Sequence, residues 1–450
     1  MTIIVTKGAP ASTIAEAQFS GPKIDRILHW DTVRITPEIF CILSRTMKHF
    51  FAGAPQKALS AFLFLFLIML ISIDNSKLVN NFFYVFLLLP AVFIATKEKI
   101  KPTTSALIIG TYLIYISVST IWGTGDILAT AKQLKYVLYI LAFTLLIHTL
   151  IYSDKQITAI AAGGLITGLL LEAYSFYLQI TAIGIDQWLK TFPRLSKVTG
   201  PLNPVYLALT IGLFAFILIA RKARNPWLST TLVLILTLVT LPLQSRTLIL
   251  ALAIGHGYLL FTRRDFLPFL LWTALCLAGG ITLLFSIDRF TTQFYRGSIW
   301  LDAITSYWQD CSWVFGCGHR YNFQIHVGDI YIYHPHSIIL SQVLYGGLFG
   351  AMLLLTALWA ILKELRDRPE HWKAVLLYCF MASLPIGHTL LTHPDFIWVL
   401  IWLPLALSGI LFRPVTRSAH QRSAQPLEEQ AVLGHVKTST RAELTSRNPV

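Results

Sequence analysis

Blocks of predominantly apolar residues, about twenty long and so able to cross a bilayer as helices, alternate with short basic or turn-rich stretches along most of the chain. This spacing predicts twelve membrane-spanning helices. They lie near residues 58–73, 82–96, 105–123, 135–152, 157–183, 203–220, 228–243, 247–262, 266–286, 337–362, 373–391 and 396–412. The first block is short and the fifth is long, and helix tilt accommodates both.

The composition supports a membrane protein. Of the 450 residues, 55% are hydrophobic and only 13% are charged, whereas soluble domains carry about 25% charged residues. Only helices and closed barrels satisfy the backbone in hydrocarbon, and these blocks do not alternate with period two. The sequence therefore predicts an all-α bundle of about twelve transmembrane helices. It divides into an N-terminal segment (1–57), a transmembrane domain (58–412) with one large loop at 287–335, and a polar tail (413–450).

Basic residues follow alternate spans, so they share one side of the membrane if there are twelve spans. They follow spans two, six, eight, ten and twelve: Lys97, Lys99, Lys101, Arg221, Lys222, Arg224, Arg263, Arg264, Lys363, Arg366, Arg368, Arg413, Arg417 and Arg422. The positive-inside rule makes this side cytoplasmic, which places both termini in the cytoplasm and the large loop in the periplasm. This topology accounts for much of the net charge of +14, and nucleic-acid binding is a poor interpretation of it.

An amphipathic pattern precedes the first span. Apolar residues on one helical face oppose basic ones: Ile39, Phe40, Ile42, Leu43, Met47, Phe50 and Phe51 against Arg45, Lys48 and His49. The pattern predicts an interfacial helix on the cytoplasmic leaflet. An irregular tail is the alternative.

Basic residues on the predicted outer side break the topology rule and are functional candidates. Arg246 opens span eight after a very short turn, which predicts a position at the outer membrane boundary, inside the bundle. An arginine there is costly unless it is paired; alternatively it snorkels to lipid phosphates. Arg296 in the large loop and Arg194 in the loop after span five are further candidates.

The large loop contains a predicted amphipathic helix at residues 297–310. Its apolar and aromatic residues share one face: Ile299, Trp300, Ala303, Ile304, Tyr307 and Trp308. This predicts a helix parallel to the membrane with aromatic rings at headgroup level. A glycine-rich turn at 315–318 follows, and then a tyrosine-rich stretch leads to span ten.

His336 stands directly before span ten, in the pattern His336-Ser337, nine residues, Gly347, two residues, Gly350. Ser337 is a predicted N-cap, and Gly346, Gly347 and Gly350 lie deeper, where small residues let a neighbouring helix pack closely. A histidine at the mouth of a bundle suits general-base chemistry. Nearby cations and the helix N-terminus disfavour the imidazolium and keep the base neutral. The alternative is an interfacial histidine without a chemical role.

Together these motifs resemble the O-antigen ligase and polymerase superfamily. The resemblance rests on the histidine pattern, on the Ser245-Arg246 pair that opens a span, and on Arg296 followed by Ile299-Trp300. It covers roughly residues 58–412, and the histidine pattern is the form associated with the ligases. The chain departs from the family in its 57-residue N-terminal extension and in its pair of loop cysteines.

The resemblance implies transfer of a polysaccharide from undecaprenyl pyrophosphate to a sugar of lipid A–core, at the periplasmic face of the cell inner membrane, without metal or cofactor. It implies that His336 activates the acceptor hydroxyl and that Arg246, Arg296 and Arg194 bind the pyrophosphate. The implied partners are the lipid-linked donor, the lipid A–core acceptor and membrane lipids, without nucleic acid.

The chemistry of the residues agrees independently with this activity. A pyrophosphate leaving group needs charge neutralisation, which planar guanidinium groups supply, and a hydroxyl acceptor needs a base. No carboxylate pair on the outer side has a spacing suited to double displacement, so single displacement with inversion is the simpler mechanism.

Three alternatives stay open. A repeat-unit polymerase or a protein O-oligosaccharyltransferase would use the same donor with a different acceptor. A membrane transporter is an alternative of another class, although inverted repeats and midplane charges are not apparent and Glu172 is the main ionisable residue near a span centre. A metal site would use ligands that lack the tight spacing of zinc sites: His319, His326, Asp329, His334 and His336.

Cys311 and Cys317 are separated by five residues in the large loop. In an oxidising periplasm they can pair, which would tie the end of the amphipathic helix to the glycine-rich turn. Two free thiols are the alternative, because spacing alone does not ensure bridging geometry.

Overall fold

The computed structural model describes residues 55–97, 100–151, 153–191, 195, 202–285, 295–327, 330–386 and 389–413. The helices in chain order are α1 Pro55–Ser72, α2 Ser76–Phe82, α3 Leu89–Lys97, α4 Thr104–Val118, α5 Thr120–Thr124, α6 Ile127–Leu150, α7 Asp154–Ile183, α8 Ile185–Thr191, α9 Pro204–Lys222, α10 Pro226–Val239, α11 Arg246–Thr262, α12 Phe266–Phe285, α13 Tyr295–Asp310, α14 Ile338–Leu365, α15 Glu370–Ser383 and α16 Leu403–Leu407. π-Helical turns at Phe83–Leu88 and Trp398–Trp402 precede α3 and α16. The predicted interfacial helix at 39–51 and the tail beyond residue 413 lie outside the described residues.

The described part of the chain is an α-helical membrane protein, as predicted. Six of its helical segments are long and apolar enough to cross a membrane: Ser76–Ala95, Thr104–Thr124, Ile127–Leu150, Asp154–Ile183, Pro204–Lys222 and Ile338–Leu365. Each of the twelve predicted spans overlaps a helix, but several of these helices are short, such as Pro226–Val239 and Trp398–Leu407. The count of twelve spans therefore stays a prediction.

The first and last described helices share an aromatic core. Trp398 is completely buried, and its ring lies 5.3 Å from that of Phe83 and 4.9 Å from that of Phe143, between ring centroids. The ring of Phe66 packs edge-on against Trp398 at 6.3 Å. These contacts join α1, α6 and the two π-helical turns into one body, because edge-on and tilted ring pairs at such distances are favourable.

Basic side chains converge at one end of the bundle. The carboxylate of Asp154, at the start of α7, contacts both Arg221 and Lys222 at the end of α9. Arg263, which follows α11, donates a hydrogen bond to the carbonyl oxygen of Ala220 at 2.9 Å. The side chains that the positive-inside rule groups together are thus near one another, and we call this the basic end.

A short antiparallel sheet lies at the basic end, where β1 (Lys101–Pro102) pairs with β4 (Phe412–Arg413). The guanidinium of Arg413 forms an ion pair of 3.0 Å with Glu364 near the end of α14. The opposite end carries the turn at 312–318, the hairpin of β2 (Ile325–Val327) and β3 (Ile330–Ile332), and the starts of α11 and α14. We call it the loop end.

Candidate functional site

Helix α14 is interrupted at Gly347, whose backbone has φ 63° and ψ −166°. Such a conformation is essentially restricted to glycine, and it breaks the hydrogen-bond ladder of the helix. The neighbouring carbonyl and amide groups therefore need other partners, because buried backbone groups are almost always paired.

Residues 312–318, which we call the strap, supply those partners. The N–H groups of Cys317 and Gly318 donate to the carbonyl oxygens of Leu344 and Tyr345, at 2.8 and 3.0 Å. In return, the N–H groups that follow the break donate to strap carbonyls, from Leu348 to Trp313 at 3.1 Å and from Phe349 to Val314 at 3.0 Å. The strap thus replaces the missing turn of the helix and fixes the loop to the bundle.

The glycines of the sequence pattern divide between two tasks. A Cβ atom on Gly346 would lie 3.0 Å from Ile116, and one on Gly350 would lie 3.0 Å from Tyr115. Both glycines therefore allow the close approach of α4, which confirms the predicted helix packing. Gly347 instead faces the strap, where an added Cβ would lie 2.3 Å from the backbone nitrogen of Gly316.

The predicted amphipathic helix is present as α13, but its apolar face is divided. Ile299 and Ala303 are buried and pack with Leu344 and Tyr345 of α14. An adjacent stripe is exposed: Trp300, Leu301, Ile304 and Trp308. An exposed aromatic stripe is what an interfacial helix offers to lipid headgroups, so α13 serves both as a support for α14 and as a surface suited to the membrane interface.

Cys311 and Cys317 form a disulfide, with Cα atoms 4.6 Å apart. Of the two alternatives for this pair, the structure shows the bridge. It joins the residue after α13 to the strap residue that hydrogen-bonds to α14. The helix, the strap and the interrupted span are thereby held as one unit.

His336 lies between the β2–β3 hairpin and α14. Its backbone has a φ of 51°, a left-handed conformation that is uncommon outside glycine and asparagine. Ser337 caps α14 by accepting a hydrogen bond from the Leu340 N–H at 3.4 Å. The N–H of Ile338 donates to the carbonyl oxygen of Leu384 at the end of α15, at 3.1 Å. The histidine therefore directly precedes the capped start of α14.

His334 is the immediate neighbour of His336. Their ring centroids are 4.1 Å apart in an edge-on arrangement. Burial, and then the proximity of His336, lowers the pKa of His334 to about 4. His334 is therefore neutral at physiological pH and adds no positive charge beside His336.

Arg246 is the first residue of α11, and Ser245 caps that helix through the N–H of Leu248. The Arg246 side chain is exposed instead of lying inside the bundle as the sequence suggested. The reason is the three-residue helix Leu241–Leu243 and the left-handed Gln244, which turn the chain before α11. Because α11 packs antiparallel to α15, with Gly255 beside Tyr378, Arg246 lies at the same end as Leu384 and hence as the start of α14.

The other two arginines are only partly placed. Arg194 lies outside the described residues, but the next residue, Leu195, is buried and donates its N–H to the carbonyl oxygen of Pro242 at 3.2 Å. Leu195 therefore contacts the turn before Arg246. Arg296 is the second residue of α13, and its side chain lies outside what the structure describes. The involvement of Arg194 and Arg296 in a site stays a prediction.

An apolar groove that was not predicted from the sequence runs along α14. Its volume is about 670 Å³, and it opens because α14 and α15 make few direct contacts. Near the loop end it is lined by Ile338 and Ile339, which follow His336 by two and three residues, and at the basic end by Leu365 and Lys373. Other lining residues come from α4, α15, the connection after α15 and the last helical segment, among them Ile109, Leu376, Leu390 and Ile401.

A second group of basic residues, which was not predicted from the sequence, lies at the loop end. Lys132 and Lys135 lie in the first turns of α6, and Arg320 lies two residues after the strap. All three fall on the predicted outer side, so the rule that singled out Arg246 should have included them. Side chains that could form a metal site do not converge in groups of three within the described ranges.

The fold defines a multi-pass α-helical membrane protein. At its loop end lie His336, Arg246 and Ile338, which lines the apolar groove. No family model matches the chain. The chain is 26% identical over 265 residues to the O-antigen ligase of Pseudomonas aeruginosa, an alignment that covers 57% of this chain and 58% of that relative. The chain thus spans just over half the length of the curated relative that it matches. The similarity confirms the resemblance to O-antigen ligases that the sequence motifs indicate.

Proposed function

We propose that the protein is an O-antigen ligase that transfers a polysaccharide from undecaprenyl pyrophosphate to a sugar of lipid A–core. One observation carries the proposal: His336 stands two residues before Ile338, which lines an apolar groove that follows α14 from the loop end to the basic end. A reaction between two lipid-anchored substrates needs this combination, because the lipid must stay in an apolar environment while the sugar reacts at the membrane surface.

The groove suits the polyprenyl chain of the donor. Its walls are almost entirely Ile, Leu, Ala and aromatic side chains, which are equivalent to lipid tails as an environment. The two helical parts of α14, before and after Gly347, hold 28 residues together, which is about 40 Å of helix at 1.5 Å per residue, compared with roughly 30 Å of bilayer hydrocarbon. A chain lying along α14 would therefore bring its pyrophosphate to the level of Ile338.

The arginines suit the pyrophosphate. Arg246 stands at the N-terminus of α11, where the helix dipole also favours an anion. Arg194 and Arg296 would complete the group. Leu195, the residue after Arg194, hydrogen-bonds to the turn before Arg246. Arg296 belongs to α13, which packs on α14. Planar guanidinium groups bind phosphate oxygens in pairs and stabilise the charge that develops on the leaving group.

His336 would act as the base. A neutral imidazole nitrogen accepts the proton of the acceptor hydroxyl, whose oxygen attacks the anomeric carbon of the donor sugar. The bond from that carbon to the pyrophosphate oxygen breaks, and undecaprenyl pyrophosphate leaves with the electron pair. A single displacement of this kind inverts the configuration at the anomeric carbon. It requires neither metal nor cofactor.

The charge distribution supports a periplasmic loop end. The basic end carries the cations that follow the predicted spans, and by the positive-inside rule it faces the cytoplasm. With twelve spans, both termini would be cytoplasmic and His336 would face the periplasm of a cell inner membrane. The disulfide in the loop also fits an oxidising compartment.

The test is a strain that lacks this gene, together with the purified protein. We expect the strain to make lipopolysaccharide without polymer while the full-length lipid-linked polymer accumulates in the periplasmic leaflet. The purified protein should then attach that polymer to lipid A–core in a membrane mimetic. A repeat-unit polymerase would instead leave only short lipid-linked units, and a transporter would leave the polymer in the cytoplasmic leaflet; either result contradicts the proposal.

A further inference from the structure

Three separate chain segments, none of them part of α11, bring basic groups together at the loop end. Lys132 and Lys135 come from the first turns of α6, Arg320 from the segment after the strap, and His393 from the segment before the last π-helical turn. Burial, and then Lys132 and Arg320, lower the pKa of His393. The contacts agree: Arg320 bonds to Gln133, the residue after Lys132, and the ring of His393 lies 6.3 Å from that of Tyr136, one turn further along α6.

The guanidinium of Arg320 is held in position by a buried amide. Gln133 is 1% exposed. With its amide oriented so that the oxygen faces the arginine, this oxygen accepts hydrogen bonds from Arg320 Nε at 2.8 Å and Arg320 Nη2 at 3.2 Å. Arg320 itself is exposed and has a left-handed backbone, with φ 67°. A strained backbone and a buried orienting partner are unusual for a solvated surface arginine, and backbone strain of this kind clusters at binding sites.

The cations lack a compensating carboxylate. Among the described residues, none of Lys132, Lys135 and Arg320 forms an ion pair. The nearby Asp395 uses its carboxylate on Thr392 and on the N–H of Ile397, at 3.1 and 2.9 Å, and burial raises its pKa to about 7. Like charges that are brought together without a counter-charge repel one another, so this group is suited to an anionic ligand.

Aromatic rings lie beside the cations. The ammonium of Lys135 is 5.7 Å from the ring centroids of both Tyr136 and Tyr139, and 5.9 Å from that of Tyr84. The Tyr136 ring is 6.3 Å from the ring of His393. Tyr136 and Tyr139 are both buried, so their rings support the exposed ammonium of Lys135 from below. The accessible groups are thus the exposed side chains of Lys132, Lys135 and Arg320, and the ligand that fits them carries a phosphate group.

The site is connected to the reaction centre through the strap. The N–H of His319 donates to Ser119 Oγ at 2.9 Å, and a Cβ on Gly318 would lie 2.4 Å from the nitrogen of Gly123. Gly318 and His319 thus fix the segment before Arg320 to the end of α4. Gly318 also belongs to the strap, which hydrogen-bonds to α14.

We propose that Lys132, Arg320 and His393 form a second anion-binding site, which holds a phosphate group of the acceptor glycolipid and so positions its sugar for attack. This inference rests on the proposed ligase function and adds an acceptor site to it. The shared chemistry, phosphate at a membrane surface, is also offered by phospholipid headgroups, and the experiment separates the two sources.

The test uses the full chain in nanodiscs of uncharged phospholipid, with lipid A–core that is intact or enzymatically dephosphorylated. The variants are Arg320→Gln, Lys132→Gln and the matched control Lys77→Gln, an exposed lysine at the start of α2. We expect Arg320→Gln and Lys132→Gln each to raise the acceptor KM about tenfold, since hydrogen bonds to charged groups contribute about 1.5–3 kcal/mol and 1.4 kcal/mol is tenfold. The kcat and the donor KM should stay within about twofold, as should all constants of the control.

With dephosphorylated acceptor, the unaltered protein should show the same raised KM, and the variants should add nothing to it. A further loss in the variants would mean that Arg320 and Lys132 act through structure, which overturns the proposal. An effect no larger than that of Lys77→Gln overturns it too. If phosphatidylglycerol in the nanodisc abolishes the difference between variant and unaltered protein, the site belongs to a phospholipid headgroup.

Direct binding separates this proposal from the ligase function. Native mass spectrometry of the purified chain with lipid A–core, in the absence of donor, reports acceptor binding even if no transfer takes place. Binding that Arg320→Gln and acceptor dephosphorylation both weaken supports the site whatever the outcome of the transfer assay. Equal binding of intact and dephosphorylated acceptor by the unaltered protein overturns it.

Discussion

The N–H of Ile338 donates a hydrogen bond of 3.1 Å to the carbonyl oxygen of Leu384. It ties the start of α14 to the end of α15, and α15 packs along α11, which begins with Arg246. The candidate base and the candidate pyrophosphate ligand are therefore carried by three helices joined at their loop ends, although they are 90 residues apart in the sequence.

Replacing His336 with asparagine should abolish transfer. Asparagine tolerates the left-handed backbone that His336 adopts, so the fold is kept while the basic nitrogen is lost. Because a general base contributes about 10²- to 10⁴-fold, we expect the rate to fall by at least about a hundredfold. The rate is measured with purified protein, and insertion is checked by membrane fractionation.

The matched control for this change is His334→Asn. His334 packs against His336 with ring centroids 4.1 Å apart, so its loss disturbs the same segment without removing the proposed base. It should retain a large part of the activity. If His336→Asn is as active as His334→Asn, His336 is not the base.

Arg246→Ala should lower the transfer rate by at least about tenfold, because charge-assisted hydrogen bonds to phosphate contribute about 1.5–3 kcal/mol. Arg246→Lys should recover little of it, since a single ammonium cannot reproduce paired contacts to phosphate oxygens. The assay is transfer at varied donor concentration. Arg224→Ala, an exposed arginine at the basic end, is the control. A fully active lysine variant would identify Arg246 as an anchor to lipid phosphates.

Cys311 and Cys317 should resist thiol labelling until they are reduced. Of the five cysteines, only the other three should label under denaturing, non-reducing conditions. Replacing both loop cysteines with serine should lower the free energy of unfolding by about 2–3 kcal/mol, the chain-entropy value for so small a loop. Thermal unfolding with and without reductant measures this difference, and full labelling before reduction would show that the bridge is absent.

Gly347→Ala should be far more damaging than Gly350→Ala. At Gly347 the φ of 63° costs an alanine about 1–3 kcal/mol, and the added Cβ would also lie within 2.3 Å of strap backbone. At Gly350 the nearest atom is a tyrosine ring carbon at 3.0 Å, which can shift slightly. We expect poor expression or loss of the folded protein only for Gly347→Ala, as measured by size-exclusion chromatography. Equal yields would mean that the strap does not require glycine.

His319 should make the protein less stable at low pH. Burial, and then the nearby Arg320, lower its pKa to about 4, whereas an unfolded histidine titrates near 6.5. Between these values the unfolded state binds a proton that the folded state does not, so the free energy of unfolding falls as the pH falls from about 6.5 towards 4. His319→Phe should reduce this slope by up to about 1.4 kcal/mol per pH unit. Melting temperatures from pH 7 to 4.5 provide the measurement, and an unchanged slope would contradict it.

The helices could be predicted because their signal is local. A run of apolar residues identifies a span wherever it packs, and Ser337 identifies a helix start because an N-cap acts on its own helix. The amphipathic helix was also visible, but which half of its apolar face would pack on α14 was not. That division depends on Leu344 and Tyr345, which lie some 40 residues further along the chain.

The break in α14 and the groove could not be predicted, for a different reason. Gly347 stands between good span residues, and glycines within spans usually mark close helix packing. Its positive φ interrupts the helix, and the interruption is stable because the strap, a segment about 30 residues away, supplies the missing hydrogen bonds. The groove is a gap between helices. Its presence depends on how α14 and α15 diverge in space, and no local residue pattern encodes that divergence. Arg320 was overlooked because its orienting partner, Gln133, is also remote in sequence.

The strap precedes α14 in the chain, and this order has a consequence for biogenesis. The segment that will satisfy the broken backbone is synthesised before the break itself, so α14 can be completed as soon as it emerges. Without the strap, the backbone groups on either side of Gly347 would lack hydrogen-bond partners, a state that hydrocarbon does not tolerate. We therefore expect α14 to fold only after the strap has reached the loop end. Separating the chain between strap and span would leave a helix that is apolar enough to insert and unable to finish folding alone.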